Sequence, residues 1–272
     1  LPRPLEIYIN AKSDSNTMLD GETLRLSAHL PMLFAPEARR ALVIGQGTGV
    51  TLGELTLWPE LTAIDLVEVS PSVARTLPLF HKQTHDAGKD HRLRVHIEDA
   101  RFLLRRQGEP WDVIVSEPSN LWVGSNDLLF TDAFFRSIAN RLAPDGLLLQ
   151  WVHLYETDAP TICSVVATMG AVFPDLTAFH GTKGDWLVIA SRGLLEAAEP
   201  RARALWATHP EVQAHLAQVA KTIRSWGGTY YKMDGLWTGA ACEQIYINDG
   251  YKDDHFGNHL PHLRQCLGGE LT

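Results

Sequence analysis

Short apolar runs alternate along this chain with stretches of helical spacing, and the alternation predicts its architecture. Leu5-Glu-Ile-Tyr-Ile-Asn10 alternates apolar and polar positions as a strand does, whereas Lys12 to Gly21 is polar and turn-rich. Residues 22–34 have helical spacing at Leu24, Ala28 and His29. Ala41-Leu-Val-Ile44 is a buried-strand run, a helix follows at about 50–58, and 61–69 forms a second apolar strand. Ser70 is placed to cap, and Pro71 to open, a helix reaching about Phe80. Strands are expected at 93–97, 111–116 and 147–152, with helices from Asp99 to about Gln107 and, capped by Thr131, over 132–142. A helix at about 158–172 precedes segments 176–179 and 185–190, which read as an antiparallel hairpin. After Ser191 the pattern changes to helices at 195–207 and 210–225 and then a Gly- and Tyr-rich tail.

Strands alternating with helices imply a parallel sheet covered on both faces. The expected fold is therefore α/β: a doubly wound, Rossmann-like, mainly parallel sheet with an antiparallel edge hairpin, a small N-terminal β element and a helical C-terminal extension. The corresponding bounds are 1–35 for the N-terminal element, 36–192 for the nucleotide-binding catalytic domain and 193–272 for the extension.

Ligands in such sheets sit outside the carboxyl ends of the strands. Four candidate features fall there: the loop Gly45-Gln-Gly47-Thr-Gly49, then Glu68, Asp99 and Glu117. The glycines let the backbone turn sharply and approach a ligand. Glu68 lies 23 residues after Gly45, about where nucleotide folds place the acid that holds a ribose hydroxyl. Asp99 is equally well placed to cap the helix that follows it.

Composition narrows the class without deciding it. A length of 272 residues with 45% hydrophobic and 21% charged content is ordinary for a soluble globular protein. The net charge of −8, with no long basic run, argues against nucleic acid as a partner. No apolar stretch is long enough to span a membrane. Cys163, Cys242 and Cys266 are far apart, which gives no disulfide framework and suits a reducing, cytoplasmic setting. The chain starts Leu-Pro-Arg-Pro-Leu, without Met or a signal-peptide pattern, so a processed chain or a piece of a longer one is expected.

In order along residues 5–190, the chain resembles the spermidine synthase family of polyamine aminopropyltransferases, whose fold is related to class I S-adenosylmethionine-dependent methyltransferases. The motifs are Ile7-Tyr-Ile-Asn-Ala-Lys-Ser-Asp, Ala28-His-Leu-Pro31, Val43-Ile-Gly-Gln-Gly-Thr-Gly49 and Leu66-Val-Glu-Val69. They continue with Glu98-Asp-Ala100, Asp112-Val-Ile-Val-Ser-Glu117, Leu129-Phe-Thr-Asp-Ala-Phe-Phe135 and Arg141-Leu-Ala-Pro-Asp-Gly-Leu147. Ser116-Glu-Pro-Ser-Asn-Leu-Trp-Val resembles a divergent branch often fused to membrane segments. The resemblance implies an adenosyl co-substrate, S-adenosylmethionine or its decarboxylated form, held by Gly45, Gly47, Thr48, Gly49, Glu68, Asp99 and Ala100. It implies Glu117 as the catalytic carboxylate, an amine acceptor near Asn120, Trp122 and Tyr155, and no metal. A homo-oligomer, expected as a dimer, and association with a membrane domain complete the implied partners.

The departures from the family pattern bear on specificity. Thr48 stands where the family's loop carries an acid, Asn120 where a second acid follows the catalytic one, and Thr23-Leu24-Arg25 where Tyr-His-Glu is usual. With Thr48 neutral, intact S-adenosylmethionine becomes a credible ligand. Aminopropyl transfer is the leading reading. The alternatives are methyl transfer from S-adenosylmethionine and a catalytically silent adenosyl-nucleotide-binding module. Trp122, Trp151 and Tyr155 flank the expected mouth, either as stacking groups or as packing. His29 and His153 are placed to reach the cleft, although a lone histidine is more often structural. His255, His259, His262 and Cys266 have metal-compatible helical spacing, but Pro261 would break such a helix and no metal is expected there.

Overall fold

A computed structural model describes residues 4–9, 11–35, 37–124, 126–180, 184–193 and 208–225. Strands β1 (Glu6–Ile9) and β2 (Lys12–Asn16) form an antiparallel hairpin. The main sheet contains β3 (Arg40–Ile44), β4 (Ala63–Glu68), β5 (Leu93–Ile97), β6 (Trp111–Ser116), β7 (Leu142–His153), β8 (Asp175–His180) and β9 (Asp185–Ser191). Its order is β5-β4-β3-β6-β7-β9-β8. The first five strands run parallel, and β9 pairs antiparallel with both β7 and β8. Chain order reverses between β3 and β6, the position at which ligands enter sheets of this kind.

The helices are α1 (Gly21–Phe34), α2 (Val50–Thr56), α3 (Pro71–Ala74), α4 (Ala100–Arg105), α5 (Asp132–Ala139), α6 (Ala159–Gly170) and α7 (Pro210–Ser225). The sheet divides the core in two. Leu30 and Leu33 of α1, Leu52 and Leu55 of α2, and Trp58 fill one side. Phe134, Phe135 and Ile138 of α5 and Ile162, Val166 and Met169 of α6 fill the other. Val212 and Leu216 of α7 join the first side, so this helix is part of the same core.

Several expectations are corrected. Residues 12–16 pair as a strand although their composition is polar, because the hairpin lies across the mouth of the sheet and not inside its core. The helix expected to reach Phe80 stops at Ala74 and resumes as a short 3-10 turn at Leu77–Phe80. Pro78 has no N–H to continue the ladder. Strand β7 starts at Leu142 instead of 147, with the Pro144-Asp145-Gly146 turn absorbed as an irregularity opposite Trp111 and Val113. Cys163 on α6 is disulfide-bonded, which the spacing of the cysteines did not suggest. The helix expected at 195–207 and the His255–Cys266 cluster lie outside the described residues. Among the described residues no helix is long and apolar enough to cross a membrane.

Candidate active site

Between the switch point and the N-terminal hairpin lies a cavity of about 400 Å³. The glycine loop forms its floor. Gly45 has φ +91°, and a Cβ there would stand 2.8 Å from the Glu117 carbonyl oxygen. Gly47 has φ +48°, and its Cβ would stand 2.8 Å from Ser15 Oγ of β2. The loop is therefore pressed between the end of β6 and the hairpin, which only glycine permits at both points.

Glu68 closes β4 and is buried against that loop. Its carboxylate accepts the backbone N–H of Gln46 at 2.9 Å and of Ser70 at 2.8 Å. Burial pushes its pKa up, with nearby Asp14 adding to the rise against the pull of the two amides. Glu68 also lines the cavity. Asp99 does what an N-cap does: it accepts the Arg101 N–H at 2.8 Å, and the Arg101 guanidinium grips both its oxygens. That grip holds Asp99 below the usual carboxylate range. Asp99 and Ala100 both line the cavity wall.

Glu117 immediately follows β6 and faces the same space. Thr51 Oγ1 of α2 donates to its Oε1 at 2.8 Å, and the Ser27 hydroxyl of α1 lies beside it. Burial of the carboxyl outweighs these two contacts and pushes its pKa up to about 7. Further along the wall, Asn120 Nδ2 donates to the Tyr155 hydroxyl at 3.0 Å. Burial pushes the Tyr155 phenol well above its ordinary range. His153 lies under Tyr155 and is stacked on Trp151, and burial lowers its pKa to about 3. His153 is thus neutral at any physiological pH.

Of the residues selected from sequence, Gly45, Gly47, Glu68, Asp99, Ala100, Glu117, Asn120 and Tyr155 are brought together around one cavity. Three others are not in its lining. Thr48 is fully buried, and its hydroxyl and N–H both engage Ser15 Oγ of the hairpin. Gly49 serves as the left-handed N-cap of α2. Trp122 is 40% exposed and meets the edge of Tyr155 from outside. His153 lines the cleft and His29 does not.

Three acids escaped the sequence reading. Asp14 of β2 lines the cavity and accepts the Ser119 hydroxyl, tying the hairpin to the loop after β6. Asp20 also lines it, accepts the Asn16 N–H at 2.7 Å, and is pushed up by burial. Asp185 opens β9, accepts from Thr23 Oγ1 at 3.0 Å, and burial raises it to about 7. The missed signal was the polar run Lys12-Ser-Asp-Ser15 directly after a strand, which is a hairpin's returning arm.

Sheet order, switch-point cavity and glycine loop define a doubly wound, methyltransferase-like fold. A known spermidine synthase structure in complex with the transition state analogue AdoDATO superposes with a TM-score of 0.63 at 23% identity, covering 68% of this chain and 66% of that one. Human methyltransferase-like protein 13 in complex with SAH gives 0.51 at 21% identity, over 68% and 91% of the two chains. The sequence pattern of the spermine/spermidine synthase domain matches residues 24–181, more than half of the chain, and the chain belongs to that family. The polyamine aminopropyltransferase of Leptospira biflexa is 28% identical over 155 residues, or 57% of this chain and 55% of that protein. The chain thus spans about half the length of the curated relatives it matches.

Two outcomes follow from this geometry. Glu117→Gln keeps the acceptor for Thr51 and removes a carboxyl whose ionisation burial disfavours. A raised pKa costs stability above the ordinary carboxyl value, so thermal unfolding should show Glu117→Gln stabilised at pH 8, by up to about 3 kcal/mol, and equal to wild type near pH 4. A Glu117→Gln protein less stable at pH 8 would mean that the carboxylate is well solvated. Glu68→Ala leaves the Gln46 and Ser70 amides without acceptors and should lower stability by about 1–3 kcal/mol in denaturant titration. An unchanged midpoint would show that water replaces the carboxylate at both amides.

Proposed function

We propose that the protein transfers an aminopropyl group from decarboxylated S-adenosylmethionine to a small amine, with Glu117 as proton acceptor. The observation that carries this reading is the half-buried Glu117 carboxyl, bonded to Thr51 and facing a cavity lined by further acids, where burial pushes its pKa up to about 7. The family to which the chain belongs supports the same reaction class.

In this reading the adenosyl moiety lies over Gly45 and Gly47, with its ribose hydroxyls on Glu68 and its base beside Ala100. The acceptor amine is an ammonium ion at neutral pH and cannot attack until it loses a proton. Glu117 holds that ammonium and accepts the proton. The freed lone pair then forms the C–N bond at the carbon beside the sulfonium, the C–S bond breaks, and its electron pair leaves on a now neutral thioether, methylthioadenosine. The leaving group starts out cationic, so positioning supplies much of the rate.

Charge favours the decarboxylated co-substrate. Asp14, Glu68 and Glu117 share the cavity; of the two cations in its wall, Arg101 is taken up by Asp99 and Lys12, on the hairpin, donates to the Ser13 carbonyl, so the acids outnumber the cations. Thr48 does not line this space, and its hydroxyl is held by Ser15 Oγ of the hairpin. Asp14 stands between Glu68 and the Ser119 loop, where it attracts an ammonium tail and repels the carboxylate of intact S-adenosylmethionine. Asn120 and Tyr155 hold the acceptor's far end, toward Asp20.

The test is a pH–rate profile. Turnover should rise as pH passes through about 7, because Glu117 is ionised only above its pKa. Glu117→Gln should lose about 10²-fold or more in kcat and should lose that inflection. Normal turnover by Glu117→Gln would remove the residue from the chemistry.

A further inference from the structure

Behind the cavity, on the far side of α1 and α2, sits a second titratable cluster that the reaction above does not use. At its centre is Glu54 of α2, whose side chain is 1% exposed. His29 Nε2 of α1 lies 2.9 Å from its Oε2, and His215 Nδ1 of α7 lies 2.5 Å from the same oxygen. His85 Nε2 and Arg25 Nε each stand 3.4 Å from Oε1. The His85 and His215 rings stack with centroids 5.4 Å apart.

His29, Glu54 and His215 are close enough together to suggest a metal site. The tautomer of His29 decides against one. Trp58 Nε1 donates to His29 Nδ1 at 3.1 Å, and an indole nitrogen is a donor only. Nδ1 therefore carries the lone pair and Nε2 the proton, which is donated to Glu54. A metal on Nε2 would force that proton onto Nδ1, straight at the Trp58 N–H. The cluster is built to hold protons.

Its protonation bears on α7. Val212 and Leu216 seat this helix in the core, and two histidines tie it by polar contacts: His209 to Glu60 at 3.1 Å and His215 to Glu54. The cluster also touches the two helices that support Glu117. Glu54 lies one turn after Thr51 on α2, and His29 lies two residues after Ser27 on α1.

We propose that α7 is a proton-controlled strap: charged His215 clasps the Glu54 carboxylate and holds α7 onto α1 and α2, and loss of its proton loosens the strap. The groups facing His215 are Glu54, His29, His85 and Arg25 from α1, α2 and the loop after α3, together with Glu211 on its own helix. The Glu54 hydrogen bond raises the His215 pKa against the effect of burial. Burial would push Glu54 up, but the contacts from His215, His29 and His85 hold it well below the usual carboxylate range. Glu54 therefore stays charged at physiological pH, and His215 is the group that changes. A raised imidazole pKa stabilises fully below the unfolded value of about 6.5 and is lost as pH rises through the folded one.

Amide hydrogen exchange over residues 213–217, corrected for intrinsic rates, tests the strap independently of any activity. Between pH 6 and pH 9, protection in the wild type should fall by about tenfold for each unit by which the His215 pKa is raised. His215→Asn keeps an uncharged donor near the Nδ1 position and should remove most of this fall in protection, the His209–Glu60 contact being retained. A wild-type protein with constant protection, or with a His215 imidazole that titrates at or below 6.5 by NMR, overturns the proposal; should His215→Asn fail to fold, the wild-type measurements alone decide. Adding zinc chloride to the wild type gives a further check: stoichiometric binding that is lost in Glu54→Gln would make the cluster a metal centre and end the strap.

Discussion

At the switch point the Gly45 backbone lies against the Glu117 carbonyl, and the cavity depends on that close approach. Strands β3 and β6 are hydrogen-bonded neighbours with chain order reversing between them, so their C-terminal loops diverge from a common point. A side chain at position 45 would separate the loops. Without one, the glycine loop drops low enough for Glu68 to reach its Gln46 amide, and Glu117 comes within reach of Thr51. Strand pairing thus places Glu68 and the half-buried Glu117 on two walls of the same space.

The cost of this arrangement is electrostatic, and it is spread over several carboxyls. Burial raises Glu68, Glu117, Asp20 and Asp185 together. A group that titrates near neutrality is a weak structural element and a serviceable proton acceptor. Glu54 contrasts with these four. It is as deeply buried as any of them but is surrounded by donors, and it stays ionised. One side of the α1–α2 pair therefore holds carboxyls that burial pushes up, and the other a carboxylate that its donors keep ionised.

The sheet was legible in the sequence because buried parallel strands are apolar runs that end in glycines or acids, as at Ile44, Val67 and Val115. For the same reason Glu68, Asp99 and Glu117 could be found from their positions at strand ends. Of the hairpin, only the first arm was legible. Lys12-Ser-Asp-Ser15 packs over a polar mouth, so its pattern carries no apolar signature, and Asp14 was missed with it. The place of Thr48 in the loop was clear, but its contact with Ser15, 33 residues away in sequence, was not. The cluster around Glu54 joins α1, α2, the loop after α3 and α7, and no sequence spacing brings His29, His85 and His215 together.

The central claim is that the cavity selects a cationic adenosyl ligand without a carboxylate. Calorimetric titration of the wild-type protein with decarboxylated S-adenosylmethionine, S-adenosylmethionine and methylthioadenosine tests it most directly. The account predicts tightest binding of the decarboxylated form, weaker binding of methylthioadenosine, which lacks the ammonium tail, and weakest binding of the intact form, whose carboxylate meets Asp14. Preference for intact S-adenosylmethionine would contradict the account and point to methyl transfer; binding of none of the three would leave the fold standing and remove the function.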